Sequence, residues 1–226
     1  MQDEPNLPAP YQPHAGLMAA FDACRMIAIL RGVTPTDAVA HGHALYDAGF
    51  RIVEVPLNSP QPLDSIAALR AALPADALVG AGTVLTPARV LDVKQAGGNL
   101  IVMPHADLDV IVAAKREGLA CVPGVATPTE AFAALKHGAD GLKMFPAEQL
   151  GPAVLKAWRA VFPVQVPLLP VGGIQPDNMG PFLAAGASGF GLGSALYKPG
   201  QDAAATRSHA DAFVNGWRIA LKGVKR

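Results

Sequence analysis

The sequence predicts an α/β fold, a (β/α)8 TIM barrel built as one domain over residues 16–226 behind a flexible leader at 1–15, and three observations carry that reading. Short apolar runs alternate with longer runs rich in Ala and Leu through the whole chain after the leader. The apolar runs lack a clean polar alternation, which marks strands covered on both faces in a parallel sheet. Eight strand and helix pairs fit into 226 residues, a compact length for a barrel. An open doubly wound sheet shares the alternating signal and stays as the alternative. No Leu-x-x-Leu-x-Leu pattern repeats, so a leucine-rich solenoid does not fit.

Taken in order, the elements begin after four prolines, Pro5, Pro8, Pro10 and Pro13, set among small polar residues without helix or strand period. Strands are predicted over 26–31, 52–57, 78–84, 100–103, 120–123, 141–145, 168–171 and 189–193. Helices are predicted between them over 36–47, 87–95, 108–117, 129–137 and 152–161, among others. Several open on Thr-Pro, as at Thr34-Pro35, Thr86-Pro87 and Thr127-Pro128, a cap followed by a residue already set at helical φ. Several close on a glycine, at Gly49, Gly97, Gly118, Gly138 and Gly186.

Composition narrows the function. Only 16% of residues are charged, against about 25% in an ordinary domain, so most of the chain is too apolar for disorder. Eighteen basic and eighteen acidic residues cancel, which gives no long-range pull toward nucleic acid or an anionic membrane. Two cysteines, Cys24 and Cys121, form neither a disulfide framework nor a metal motif, and a reducing cytoplasm is the expected compartment. The first residues lack a basic segment followed by an apolar one, so no secretory signal is expected. The uncharged stretch between Asp177 and Lys198 is broken by Pro181 and five glycines and does not read as a membrane span.

Polar residues stand where barrel strands should be apolar. In Ile52-Val53-Glu54-Val55-Pro56-Leu57-Asn58 the alternation puts the branched residues on one face and Glu54, Pro56 and Asn58 on the other. The same reasoning turns Lys143 and Phe145 inward, and it gives Arg31, after Ile27 and Ile29, and Thr83, after Ala81, that inward phase too. A buried structural ion pair between Glu54 and either Lys143 or Arg31 is one reading. Chemistry is the other. An ordinary lysine near pKa 10.4 is neutral in about one part in 2,500 at pH 7, and a downward shift of about three units raises that fraction nearly a thousandfold. A neutral amine attacks a ketone, the resulting imine withdraws electrons from a neighbouring carbon to carbon bond, and a carboxylate such as Glu54 can shuttle the proton. Glycine turns after the seventh strand, Val171-Gly172-Gly173-Ile174, and the eighth, Gly191-Leu192-Gly193-Ser194, lie where barrels often cradle phosphate. Together these point to a phosphorylated ketone substrate.

At these residues the chain resembles the class I aldolases that split 2-keto-3-deoxy-6-phospho sugar acids, and among them the galactonate enzymes. The resemblance runs through Ile27-Ala28-Ile29-Leu30-Arg31-Gly32-Val33, Val53-Glu54-Val55-Pro56-Leu57-Asn58-Ser59-Pro60, Gly80-Ala81-Gly82-Thr83-Val84, Ala126-Thr127-Pro128-Thr129-Glu130-Ala131, Leu142-Lys143-Met144-Phe145-Pro146 and Val171-Gly172-Gly173-Ile174. It implies a TIM-barrel lyase that releases pyruvate and D-glyceraldehyde 3-phosphate without metal or organic cofactor. It also implies Lys143 as the Schiff-base lysine, Glu54 as the general acid/base, and Arg31 and Thr83 near the pyruvate end, where a guanidinium fork suits a carboxylate. Gly172, Gly173, Gly193 and Ser194 match the phosphate cradle, and family members are homotrimers. Asn58 and Val171 stand where the gluconate enzymes carry Arg and Thr, which favours the galactonate epimer over the gluconate one. The leader is longer than usual for the family, and Met144 replaces another apolar residue.

Other residues are expected to do less. His41 and His43, two apart on a helix, face different ways and read as surface residues. His105 and Pro104 follow the fourth strand, with Pro104 as a pocket wall and His105 as an optional substrate contact. Cys121 reads as a small buried hydrophobe, and Trp158 and Trp217 as packing residues. A barrel isomerase or synthase using Lys143 only as a charge, and a non-catalytic sugar phosphate binder, are the rival functions.

Overall fold

The computed structural model describes residues 11–224. Its elements are α1 (Ala15–Ala23), β1 (Met26–Ile29), α2 (Pro35–Asp47), β2 (Ile52–Pro56), α3 (Pro62–Ala72), β3 (Leu78–Gly82), α4 (Pro87–Gln95), β4 (Leu100–Val102) and α5 (Leu108–Arg116). There follow β5 (Ala120–Val122), β6 (Gly124–Val125), α6 (Pro128–Lys136), β7 (Leu142–Met144), α7 (Ala147–Arg159), β8 (Leu168–Pro170), α8 (Met179–Ala184), β9 (Phe190–Leu192) and α9 (Ala203–Val224). All strand pairs are parallel. One sheet runs β5-β4-β3-β2-β1-β9 and the other β6-β7-β8. This is the α/β alternation expected, with strands one or two residues shorter at their ends. The fifth expected strand, 120–123, ends at Val122; beyond Pro123, whose missing N–H interrupts the ladder, the chain makes a further short strand, so that β5 pairs with β4 and β6 with β7. Beyond β8 a lone parallel bridge joins Val171 to Gly191 in β9.

The caps form as the residue types dictate. Thr34, Asp107 and Thr127 each accept a backbone N–H with the side chain, and Thr127 with Glu130 completes a capping box. α7 differs from expectation. The predicted segment 152–161 is only its second part, because Gly151 breaks the helix at φ 69° and the first turn, from Ala147, precedes it.

Side chains on alternate strand positions divide between two cores. Met26, Ala28, Val53, Val55, Val79, Ala81, Ile101 and Cys121 pack outward beneath the helices. Ile27, Ile52, Leu78, Leu100, Ala120 and Leu169 point the other way, onto Leu17, Ala20 and Phe21 of α1. Helix α1 thus closes the inner core at the N-terminal ends of the strands. The sequence reading did not foresee it, since nine residues of helix stand beside a proline-rich run.

The leader expectation needs a correction for its last residues. Tyr11 donates its hydroxyl hydrogen to the Asp140 carbonyl, and the His14 N–H donates to Asp140 Oδ1 at 2.8 Å. Asp140 is fully buried and also takes Lys115 Nζ at 2.7 Å on both oxygens and the Cys121 N–H at 2.8 Å on Oδ2. A buried carboxylate with its acceptor sites filled ties residues 11–14 down; residues 1–10 of the expected leader lie outside the described residues. Among the described residues no helix is long and apolar enough to cross a membrane.

Candidate active site

Glu54 and Lys143 stand on β2 and β7 with their strand neighbours facing the helices, so the pleat turns both inward. Below them lies a space of about 10 Å3, floored by Ile27, Ile29, Val102 and Val122. It has room for about one water. Neither group is solvated: Glu54 is 1% exposed and Lys143 7%.

This environment sets their chemistry. Burial pushes the Glu54 carboxyl up to about 7, against the opposing pull of the Lys143 and Arg31 charges. Burial lowers the Lys143 ammonium pKa; the Glu54 charge resists that, and Arg31 adds to it. Glu54 Oε2 has no hydrogen-bond partner, and no ion pair within 4.0 Å joins Glu54 to Lys143 or Arg31 among the described residues. A structural pair would hold its carboxylate as Lys115 holds Asp140. The Glu54 arrangement instead leaves a lone pair free and a protonation equilibrium near neutrality, which is what proton transfer needs. Lys143 Nζ sits 4.7 Å above the Phe145 ring, which flanks the amine at the open end of β7.

A residue missed from the sequence makes room for the carboxylate. Gly82 pairs with Pro56 across β2 and β3, and a Cβ there would lie 1.8 Å from Glu54 Oε2. The glycines at alternate positions, Gly80 and Gly82, are the signal that could have found it. They also correct the phase assigned to Ala81, which packs outward while Gly80 and Gly82 take the inner positions; Thr83 lies past the strand end. Thr83 is half-buried with φ 56°, a left-handed conformation unfavourable for a β-branched residue, so the chain turns sharply beside the Glu54 carboxylate.

At the mouth, Arg31 Nη1 donates to Asn58 Oδ1 at 2.7 Å, and the Gly32 N–H donates to Ser59 Oγ at 2.8 Å. Asn58 therefore orients the guanidinium rather than standing alone. Pro104 is half-buried, and its carbonyl lies 2.5 Å from where a Cβ on Gly124 would be, so it walls the junction of β4 and β6. The bridge from Val171 to Gly191 sets β8 and β9 side by side, which brings Gly172 and Gly173 next to Gly193 and Ser194 at neighbouring strand ends. Gly172 has φ 107°, and Ser194 is exposed. Glu148, in the first turn of α7, also borders this turn: its Oε2 lies 2.1 Å from a Cβ position on Gly172. No sequence argument singled it out.

Among the lesser calls, Cys121 and Trp158 are buried and Trp217 packs edge-on to Phe190. His105 and His43 are exposed. His41 is not the expected surface residue: it is 3% exposed, its Nδ1 paired with Thr206 Oγ1 at 2.8 Å. The apolar face of α2 there meets α9, which a reading of one helix alone could not supply.

Comparison with known proteins adds to this geometry. Residues 18–206 match the family model of KDPG and KHG aldolase. The 2-dehydro-3-deoxy-6-phosphogalactonate aldolase of Escherichia coli K12 is 47% identical over 197 residues, 87% of this chain and 96% of that protein. A solved structure described as native KDPGal superposes with a TM-score of 0.85 at 47% identity, covering 87% of this chain and 96% of that one. The KDPG aldolase of Legionella pneumophila, solved with pyruvate captured as a covalent carbinolamine intermediate, superposes with a TM-score of 0.76 at 28% identity, covering 94% of this chain and 99% of that one.

Proposed function

Because the chain belongs to the KDPG and KHG aldolase family and is by that membership a carbon to carbon lyase, we propose that it cleaves 2-dehydro-3-deoxy-6-phosphogalactonate to pyruvate and D-glyceraldehyde 3-phosphate through an imine on Lys143. The observation that carries the site assignment is the pair of buried groups, Glu54 and Lys143, held at one mouth without an ion pair between them.

In this reading neutral Lys143 Nζ adds to the C2 ketone, and loss of water leaves the protonated imine. The C4 hydroxyl gives up its proton to Glu54 as the C3–C4 bond breaks, and the bonding electrons pass into the imine to form an enamine. The aldehyde phosphate leaves. Protonation of the enamine at C3 by Glu54 and hydrolysis of the imine release pyruvate and return the amine. Arg31, held by Asn58, faces the substrate carboxylate. Thr83 lies at the pyruvate end, and Pro104, Phe145 and Val171 form walls. Gly172, Gly173, Gly193 and Ser194 take the phosphate. Asn58 and Val171 favour the galactonate epimer; comparing turnover of the two epimers tests this, and a strong gluconate preference would reject it.

We read the strands as one closed (β/α)8 barrel in a single domain. The Val171 to Gly191 bridge and the continuity of β5 with β6 around Pro123 support closure. The homotrimer implied by the family resemblance is carried over as well, with native mass as its check, as is the cytoplasm as compartment. The test of the chemistry is borohydride reduction in the presence of pyruvate. A mass increase located on Lys143 is expected; no adduct, where a control aldolase labels, would reject the imine.

A further inference from the structure

The loop from Gly193 to Asp202, which joins β9 to α9, is clamped by a polar network centred on the buried His41 and Thr206 that the reaction above does not use. Gly193 O accepts the N–H groups of Leu196 and Tyr197 at 2.8 and 3.0 Å. Leu196 O in turn accepts Gln201 Nε2 at 3.0 Å and pairs with His209 Nδ1 at 3.1 Å. Gln201 Nε2 also donates to Thr206 Oγ1 at 2.6 Å, and Thr206 Oγ1 pairs with His41 Nδ1 at 2.8 Å. Thr206 is fully buried, and the His41 ring stands edge-on to Tyr197, its centroid 4.8 Å away. Pro199, in the middle of the same loop, rests against Gly32, next to Arg31: a Cβ on Gly32 would lie 2.7 Å from Pro199 Cγ.

The hydroxyl of Thr206 is the hub. It spends one lone pair on Gln201, and with the His41 proton on Nε2 its own hydrogen goes to Nδ1. Its other acceptor, Asp202 O, is 3.4 Å away and a poor substitute. Removing either partner leaves a buried polar group unpaired at the base of the loop, and the strain passes to Gly193 and Ser194 through Leu196. Helices are rigid, and a turn held from α2 and α9 together keeps its N–H groups aimed without an ordering cost when an anion arrives.

We infer that His41, Thr206 and Gln201 are positioning residues that hold the Gly193–Ser194 turn in the geometry that grips the substrate phosphate. This rests on the phosphate cradle assigned above. The experiment compares turnover of the phosphorylated keto acid with that of its analogue lacking the phosphate in Thr206→Val, His41→Phe, His41→Asn and Ser194→Ala. In Thr206→Val and His41→Phe, KM for the phosphorylated substrate should rise about fivefold with kcat within about twofold, and kcat/KM for the analogue should stay unchanged. His41→Asn, which restores a polar group near the Nδ1 position, should recover most of the loss. Equal losses on both substrates, or no change on either, would overturn the inference as merely structural. Loss of phosphate preference in Ser194→Ala alone also overturns it while the cradle stands. A parent enzyme that shows no preference for the phosphorylated keto acid over its analogue would remove the cradle reading and the inference together.

Discussion

Two carboxylates are buried at opposite ends of the strands, and their surroundings differ in one respect that matters. Asp140, near the N-terminal ends, has each oxygen occupied: Lys115 reaches both, and the His14 and Cys121 N–H groups take one each. Glu54, at the C-terminal ends, keeps Oε2 without a partner, and among the described residues neither Lys143 nor Arg31 comes within ion-pair distance of it. Both are buried. A filled carboxylate fixes structure, because every lone pair already has its partner; an unfilled, desolvated one titrates near neutrality, where it can both take up a proton and give it back. In the proposed mechanism, fold stability and chemistry thus fall at opposite rims.

The strongest way to break this comparison is at Lys143. Lys143→Arg keeps a charge but cannot form the imine, so kcat should fall about 10^4-fold or more in steady-state assay of the folded protein. Retained turnover would move the protein toward a rival isomerase function. At the other rim, Asp140→Ala strands Lys115 and frees residues 11–14; stability should drop by about 3–5 kcal/mol in urea titration, while kcat in the remaining folded protein stays within about threefold.

Glu54 sharpens the comparison through pH. Its folded-state pKa of about 7 lies above the ordinary 4.5, so the folded protein holds that proton more tightly than the unfolded chain does. The stability this supplies is complete below pH 4.5 and lost as pH rises through 7. Glu54→Gln never ionises, so relative to the parent it should gain stability between pH 5 and 8, by about 3 kcal/mol at most, while losing activity. A flat difference across that range in pH-resolved melting would contradict the burial argument. The smallest expected effect is Gly82→Ala. Its methyl group displaces the Glu54 carboxylate, and a shift of about 1 Å should lower kcat about 10^2-fold without abolishing imine trapping on Lys143.

Much of this was legible along the chain because it depends on local spacing. Alternation around Glu54 and Lys143 gave their inward phase, and Thr-Pro and glycine punctuation marked helix ends. Ala81, counted inward, packs under the helices, so the count from it to Thr83 fails; Thr83 lies past the strand end at φ 56°, where the strand's phase no longer applies. Gly82 escaped notice because a glycine's value lies in what its missing Cβ admits from the next strand. His41 was placed outside for the same kind of reason, since α9, almost at the other end of the chain, covers it.

By itself the sequence determined the order of strands and helices and the residue types offered at the strand ends, since period and capping act over a few residues. Tertiary structure decided which buried charge would be satisfied and which left open, because that depends on groups far apart in the chain. Asp140 meets His14 across 126 positions, and Glu54 meets Lys143 only when β2 and β7 share a mouth. Desolvation, which brings the Glu54 proton equilibrium near neutrality, exists only once those strands have closed over it.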